Sequence, residues 1–294
     1  MRMEQALAIL PEELRRAVAE LPERDRARLE ELRLRAGENA CVVLGGRERP
    51  LTLGGAALPT DAELLRSVVV AAAGHSLYAA EDQIRQGYRT LRGGHRLGIC
   101  GTAVREGDGI QTLRQFSALN LRFARQVFGA AEPICELLRT SPRSVLILGS
   151  PGSGKTTVLR DLIRLLSDRL RFRVGVADER GELAACLDGQ PQLKLGMSAD
   201  VLTGTTKREG IYMLLRSMSP EWIAVDEISE QADAEAIVHA SYCGARFAAT
   251  AHVWEPEDLR RRPLYRELVR QGVFAHAVYI GPGRRLRCEA MPRE

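Results

Sequence analysis

The chain has 294 residues, enough for one large domain or two of ordinary size, and its 45% hydrophobic and 27% charged content is that of a soluble globular protein. The longest uninterrupted apolar run, Val68 to Ala73, is far too short to cross a bilayer, and the opening MRMEQALAILPEELRR has only a brief apolar segment and no small-residue cleavage site, so neither a membrane span nor a secretory leader is expected. Net charge is +4, from 42 lysines and arginines against 38 aspartates and glutamates, and only Lys155, Lys194 and Lys207 are lysines. Where arginine is the default cation, a lysine marks a place that wants a compact ammonium. Six cysteines stand singly with no CxxC pair or nearby histidine, as reduced thiols outside any metal site would. A cytoplasmic location follows as the expectation.

In chain order, Leu14, Val18 and Leu21 recur at helical spacing, and Leu29, Leu32 and Leu34 are read with them as a helical lead-in. From Ala40 to Leu58, short leucine and valine runs around Gly45-Gly46 predict a hairpin, and Asp61 is placed to cap a helix reaching about Ala73. Glycine-punctuated strands follow between Gly87 and Val104, with a turn at Gly107-Asp108-Gly109. Residues 1–125 therefore read as a smaller α+β domain. Over 126–294 the pattern becomes α/β, with short apolar strands at 144–148, 173–177, 222–225 and 245–250, each followed by a helical segment. Ile211, Leu214, Leu215 and Met218 form a core-facing stripe on the helix before the third strand, and HAVYIGPGRRLRCEA predicts a final hairpin turning at Gly281-Pro282-Gly283.

The first of these strands runs into Gly149-Ser150-Pro151-Gly152-Ser153-Gly154-Lys155-Thr156, a complete GxxxxGK(S/T) between an apolar strand and a helix that begins near Thr157. Glycines let the backbone amides turn inward around a phosphate, and the helix presents its positive end to the same anion. Lys155 would reach the β- and γ-phosphate oxygens of ATP, and the Thr156 hydroxyl would ligate Mg2+. The third strand ends in Asp226-Glu227, of which Asp226 would hold Mg2+, directly or through water, and Glu227 would orient and polarise the attacking water as its base. Two more strand ends reach the same edge. Glu179 follows the second, as a catalytic acid or as a cap or ion pair; Thr250 and His252 end the fourth, Thr250 as a γ-phosphate sensor and His252 as a relay or a structural histidine.

GSPGSGKT, ADERGE, SPEWIAVDE and ATAH, in that order, resemble the secretion ATPases of type II and type IV systems. The longer phrases EELRLRAG, GGHRLGICG, FSALNLRFAR, DERGEL, DVLTGTTKREG and RSMSPEWIAVDEI are similar to those of the stage III sporulation protein AA family of endospore-forming bacteria. The resemblance covers roughly residues 28–290 and implies a RecA-like P-loop NTPase core behind the α+β domain. It further implies an ATP-driven motor working as a homo-oligomeric ring, hexameric in the family's terms, peripheral to membrane-embedded channel proteins between mother cell and forespore. Such rings complete the site with an arginine from elsewhere, for which Arg92, Arg96, Arg122 and Arg125 are the candidates. One departure stands out: the broader secretion group carries glycine before the glutamate, where this chain has Asp226, so metal anchoring is expected to follow the ordinary P-loop scheme. A RecA-like nucleic-acid translocase and a small-molecule kinase are the competing classes. The first is disfavoured because no basic stripe with interleaved aromatics is present, so a nucleic-acid partner is not expected in this reading.

Overall fold

The computed structural model describes residues 2–74, 81–107, 109–253 and 258–291. They form two compact units: one comprises residues 1–125 with Leu187–Gln192, the other Gln126–Cys186 with Leu193–Glu294.

The first unit carries α1 (Arg2–Leu7), α2 (Glu12–Glu20), α3 (Glu23–Arg26), β1 (Leu29–Arg35), β2 (Cys41–Leu44), β3 (Arg47–Pro50), β4 (Thr52–Leu53), β5 (Ala56–Ala57), α4 (Ala62–Ala72), α5 (Glu81–Arg85), β6 (Tyr88–Thr90), β7 (Arg96–Glu106) and β8 (Gly109–Arg122). Its main sheet, among the described residues, is antiparallel with the order β3-β2-β1-β8-β7-β6. Leu29, Leu32 and Leu34 lie in β1 and not in a helix, which corrects the helical lead-in. Helical spacing arises there because the register against β2 slips between Leu29 and Glu31, so the bulge turns Leu29 and Leu32 to the same buried side. The hairpin at Gly45-Gly46 forms as expected, with both glycines at positive φ (59° and 75°), where a two-residue turn needs them. Asp61 accepts from Leu64 N at 2.7 Å and caps α4. Of the expected turn after β7, Asp108 lies outside the described residues.

The second unit carries α6 (Glu132–Thr140), β9 (Val145–Gly149), α7 (Lys155–Asp168), β10 (Val174–Asp178), β11 (Ala199–Thr203), α8 (Lys207–Ser217), β12 (Trp222–Val225), α9 (Gln231–Tyr242), β13 (Arg246–His252), α10 (Asp258–Arg261), α11 (Pro263–Arg270), β14 (His276–Ile280) and β15 (Leu286–Ala290). Strand order is β11-β10-β12-β13-β9-β14-β15, parallel throughout except the last pair. One face packs on α6 and α7 and the other on α8, α9 and α11. Cover on both faces is why β9, β10 and β12 are buried at every residue and read as unbroken apolar runs. Edge strand β11 is only half-buried and carries Asp200, so it lacked that signal. On α8, Ile211 and Leu214 are buried as expected, whereas Met218 is 41% exposed, because the helix ends at Ser217 and the chain turns away. No helix among the described residues is long and apolar enough to cross a membrane.

A buried polar contact ties α6 to α7. Asp161, with a fully buried side chain, accepts Ala131 N at 3.0 Å and the Arg164 guanidinium at 2.7 Å. Replacing Asp161 by alanine strands both donors, and is expected to lower stability by about 3 kcal/mol. Chemical denaturation followed by intrinsic fluorescence measures this, and an unchanged midpoint would refute it.

Candidate active site at the carboxyl edge of the parallel sheet

Parallel strands deliver their carboxyl ends to one edge, and β9, β10, β12 and β13 there present the P-loop, Glu179, Asp226-Glu227 and Thr250 to His252. The P-loop begins at Gly149, whose hydrogen faces the Ser153 hydroxyl so closely that a Cβ would stand 2.6 Å from that oxygen. Gly152 and Gly154 have φ of 74° and 104°, which L side chains rarely adopt. Helix α7 starts at Lys155, two residues earlier than the sequence suggested, so Lys155, Thr156 and Thr157 form its first turn, whose amides have no intrahelical partner. The buried Ser153 hydroxyl has no hydrogen-bond partner among the described residues. A helix start whose first amides have no intrahelical partner, an orphaned hydroxyl and positive-φ glycines fit a polyphosphate.

Lys155 is folded onto its own loop. Its ammonium donates to Gly149 O at 3.0 Å, to Ser150 O at 2.9 Å and to His252 Nδ1 at 2.9 Å. Burial holds its pKa below the usual lysine value, while Asp226 and Glu227 pull it back up. An ammonium can only donate, so His252 Nδ1 accepts and its hydrogen sits on Nε2. That Nε2 lies 3.2 Å from Glu227 Oε1, and Arg180 Nη1 lies 3.1 Å from Glu227 Oε2. The structure thus links Lys155, His252, Glu227 and Arg180 in one chain of contacts. Arg180 was not singled out as a site residue from the sequence, because one arginine among so many carries little signal.

Glu227 has a backbone φ of 54°, uncommon for a residue with a side chain. Thr250 anchors it. The Thr250 hydroxyl accepts Glu227 N at 2.7 Å and donates to Asp226 Oδ1 at 2.6 Å, and the residue is fully buried. Both hydrogen-bonding directions of that hydroxyl are in use, so Thr250 holds the two acids in place, and direct sensing of a phosphate is not what this geometry favours. Among the described residues no cluster of three or more His, Cys, Asp or Glu has the arrangement of a metal site. A divalent ion here would draw on Asp226, the Thr156 hydroxyl and phosphate oxygens, which is how Mg2+ is usually held.

Asp178 is structural: Leu183 N and Ala184 N donate to its carboxylate at 3.1 and 2.8 Å, and burial raises its pKa against those bonds. Glu179 makes an ion pair with Lys207 at 2.5 Å and lines a small cleft with Asp226 and Glu227. In the first unit, Arg122 pairs with Glu31 at 3.0 Å, Arg125 donates to Leu29 O at 3.0 Å, and Arg96 lies 3.7 Å over the Tyr88 ring.

Residues 1–285 match the family described as "Sporulation stage III, protein AA". The chain belongs to this family. Stage III sporulation protein AA of Bacillus subtilis (strain 168) is 39% identical over 290 residues, which is 96% of this chain and 93% of that protein. Type II secretion system protein E of Pseudomonas aeruginosa is 29% identical over 180 residues, 59% of this chain and 34% of its own. Among solved structures, the Legionella pneumophila ATPase DotB superposes with a TM-score of 0.56 at 18% identity, over 88% of this chain and 75% of its own. The pilus retraction motor PilT with bound ADP gives 0.59 at 15% identity, over 90% and 80%. At these identities the structures speak to fold, and the fold is α/β with a RecA-like core.

Thr250→Val keeps the shape and removes the hydroxyl. It leaves Glu227 N and one Asp226 oxygen without their partner, so a stability loss of about 1–3 kcal/mol is expected. Thermal unfolding of the variant checks this, and a melting temperature equal to wild type would contradict it.

Proposed function

We propose that the chain is a Mg2+-dependent ATPase of the secretion-motor type. It works as a homo-oligomeric ring, hexameric in form, on the cytoplasmic side of a membrane-embedded sporulation channel between mother cell and forespore. In this reading residues 1–125 are the smaller α+β domain and residues 126–294 the ATPase domain. The observation that carries the proposal is the contact chain from the P-loop Lys155 through His252 to Glu227. It joins a phosphate-binding group to a base on neighbouring strand ends. Family membership and the relatives titled ATPase and motor support the same reading.

Each residue has a task. Gly149, Ser150, Pro151, Gly152, Ser153, Gly154, Thr156 and Thr157 form the loop that takes the phosphates, and Lys155 leaves its loop carbonyls to pair with the β- and γ-oxygens. Thr156 and Asp226 would hold Mg2+, which would supply neutralisation of charge on the triphosphate. Glu227 orients and deprotonates water once one of its oxygens is released. Arg180, whose side chain is 57% exposed, is the partner free to swing away. His252 is left with Nδ1 unpaired when Lys155 turns to phosphate, so it registers nucleotide at the base. Glu179 adds a second carboxylate to the cleft.

Lys155→Ala is expected to weaken ATP binding roughly 10- to 100-fold, the worth of one charge-assisted contact. Glu227→Gln is expected to keep ATP bound and lose about 100-fold or more in turnover. Calorimetry and phosphate release measure the two, and wild-type hydrolysis by Glu227→Gln would remove Glu227 from the base role. Mass measurement with and without a non-hydrolysable ATP analogue tests the ring. A monomer under both conditions, with and without membrane fractions, would contradict it.

A further inference from the structure

Lys207 is one of only three lysines in the chain, and it is 4% exposed. It occupies the first position of α8, and the next residue, Arg208, is exposed. The buried position thus has the compact cation and the solvated one has the broad guanidinium. Lys207 Nζ lies 2.5 Å from Glu179 Oε2 and 3.6 Å from Asp233 Oδ2. The two carboxylates belong to different strand-end connections.

Glu179 follows β10 and faces the cleft that Asp226, Glu227 and Lys207 also line. Asp233 sits in the first turn of α9, is itself buried, and accepts Ser229 N and Glu230 N, both at 3.2 Å. Those amides end the loop from which Glu227 projects. The other end of that loop is held by Thr250, through Glu227 N and through Ile228 N, which donates to Thr250 O at 2.9 Å. One end is therefore fixed by β13, and the other by an aspartate whose buried charge is balanced by Lys207.

We propose that Lys207 is a positioning residue for hydrolysis. Its ammonium holds the Glu179 carboxylate at the cleft and, through Asp233, fixes the backbone of residues 226–230 that aims Glu227. This deepens the ATPase reading and rests on it for the catalytic effect, while the anchoring of the loop stands on geometry alone.

Lys207→Met in the full chain removes the charge at similar length. Turnover at saturating ATP is expected to fall about tenfold or more with KM changed less than about threefold, the pattern of a misplaced group at an intact binding loop. Amides in 226–230 are expected to exchange with solvent about tenfold faster by mass spectrometry. Adding Glu179→Gln to Lys207→Met is expected to cost less than about twofold further, because the two act as a unit. If Lys207→Met does not fold, Asp233→Asn carries the test, with the same exchange and kinetic pattern expected. Unchanged exchange at 226–230, multiplicative losses in the double variant, or a loss residing in KM would each overturn the proposal. The exchange measurement needs no nucleotide. No triphosphate hydrolysis by wild-type protein, with the exchange response still present in Lys207→Met, would sink the ATPase reading and uphold the anchoring, whereas normal wild-type hydrolysis without the response in the variant would do the reverse.

Discussion

A parallel sheet covered on both faces leaves its polar chemistry one place to go, the edge where the strands end. In the second unit every interior position of β9, β10 and β12 is committed to apolar packing. Charge first occurs at the ends of these strands, in Asp178 as the last residue of β10 and in the residues immediately beyond. Gly149, Glu179, Asp226 and His252 owe their proximity to this rule, since hydrogen-bonded neighbours in the sheet become neighbours at its rim. Strand order decides the rest: β13 lies between β12 and β9, so its terminal threonine and histidine are interposed between the acids and the P-loop.

That interposition shapes the electrostatics. Thr250 gives both its hydrogen-bonding directions to the Asp226-Glu227 pair, and His252 gives one ring nitrogen to each side. Adjacent carboxylates repel, and Glu227 is held beside Asp226 at a main-chain φ of 54°, at the expense of local backbone comfort. Cations surround the pair without neutralising it outright: Lys155 is occupied with loop carbonyls, and Arg180 reaches Glu227 from a largely exposed position. A rim that sets two adjacent acids beside a folded-back lysine is a fitting place for a divalent metal.

Much of this was legible in the sequence where local chemistry and global position agree. The P-loop has fixed spacing, strand context and a helix behind it, and β12 announces itself as four apolar residues before two acids. Legibility fails where a signal is shared. The leucines of β1 carry helical spacing because a bulge shifts the pleat by one residue. Strand β11 is an edge with half-buried faces, so it shows neither alternation nor an apolar run. Arg180 and Lys207 act through partners 47 and 28 residues away in the chain, a relation no local pattern encodes. Lysine scarcity was the single hint for Lys207, and the same hint pointed first at Lys155. Asp178, by contrast, sits in an acidic box that advertises chemistry while serving the backbone of residues 183 and 184.

The self-bonded Lys155 has a thermodynamic corollary. An incoming anion exchanges partners with Gly149, Ser150 and His252 and does not drop into a vacant seat, so whatever it gains from the ammonium is reduced by what the loop gives up. In the ATPase reading, a small monovalent ion loses that contest, and a multiply charged chain of phosphates, touching amides and ammonium together, wins it. In that reading, discrimination by charge density is built into the loop itself, before any base or sugar is recognised.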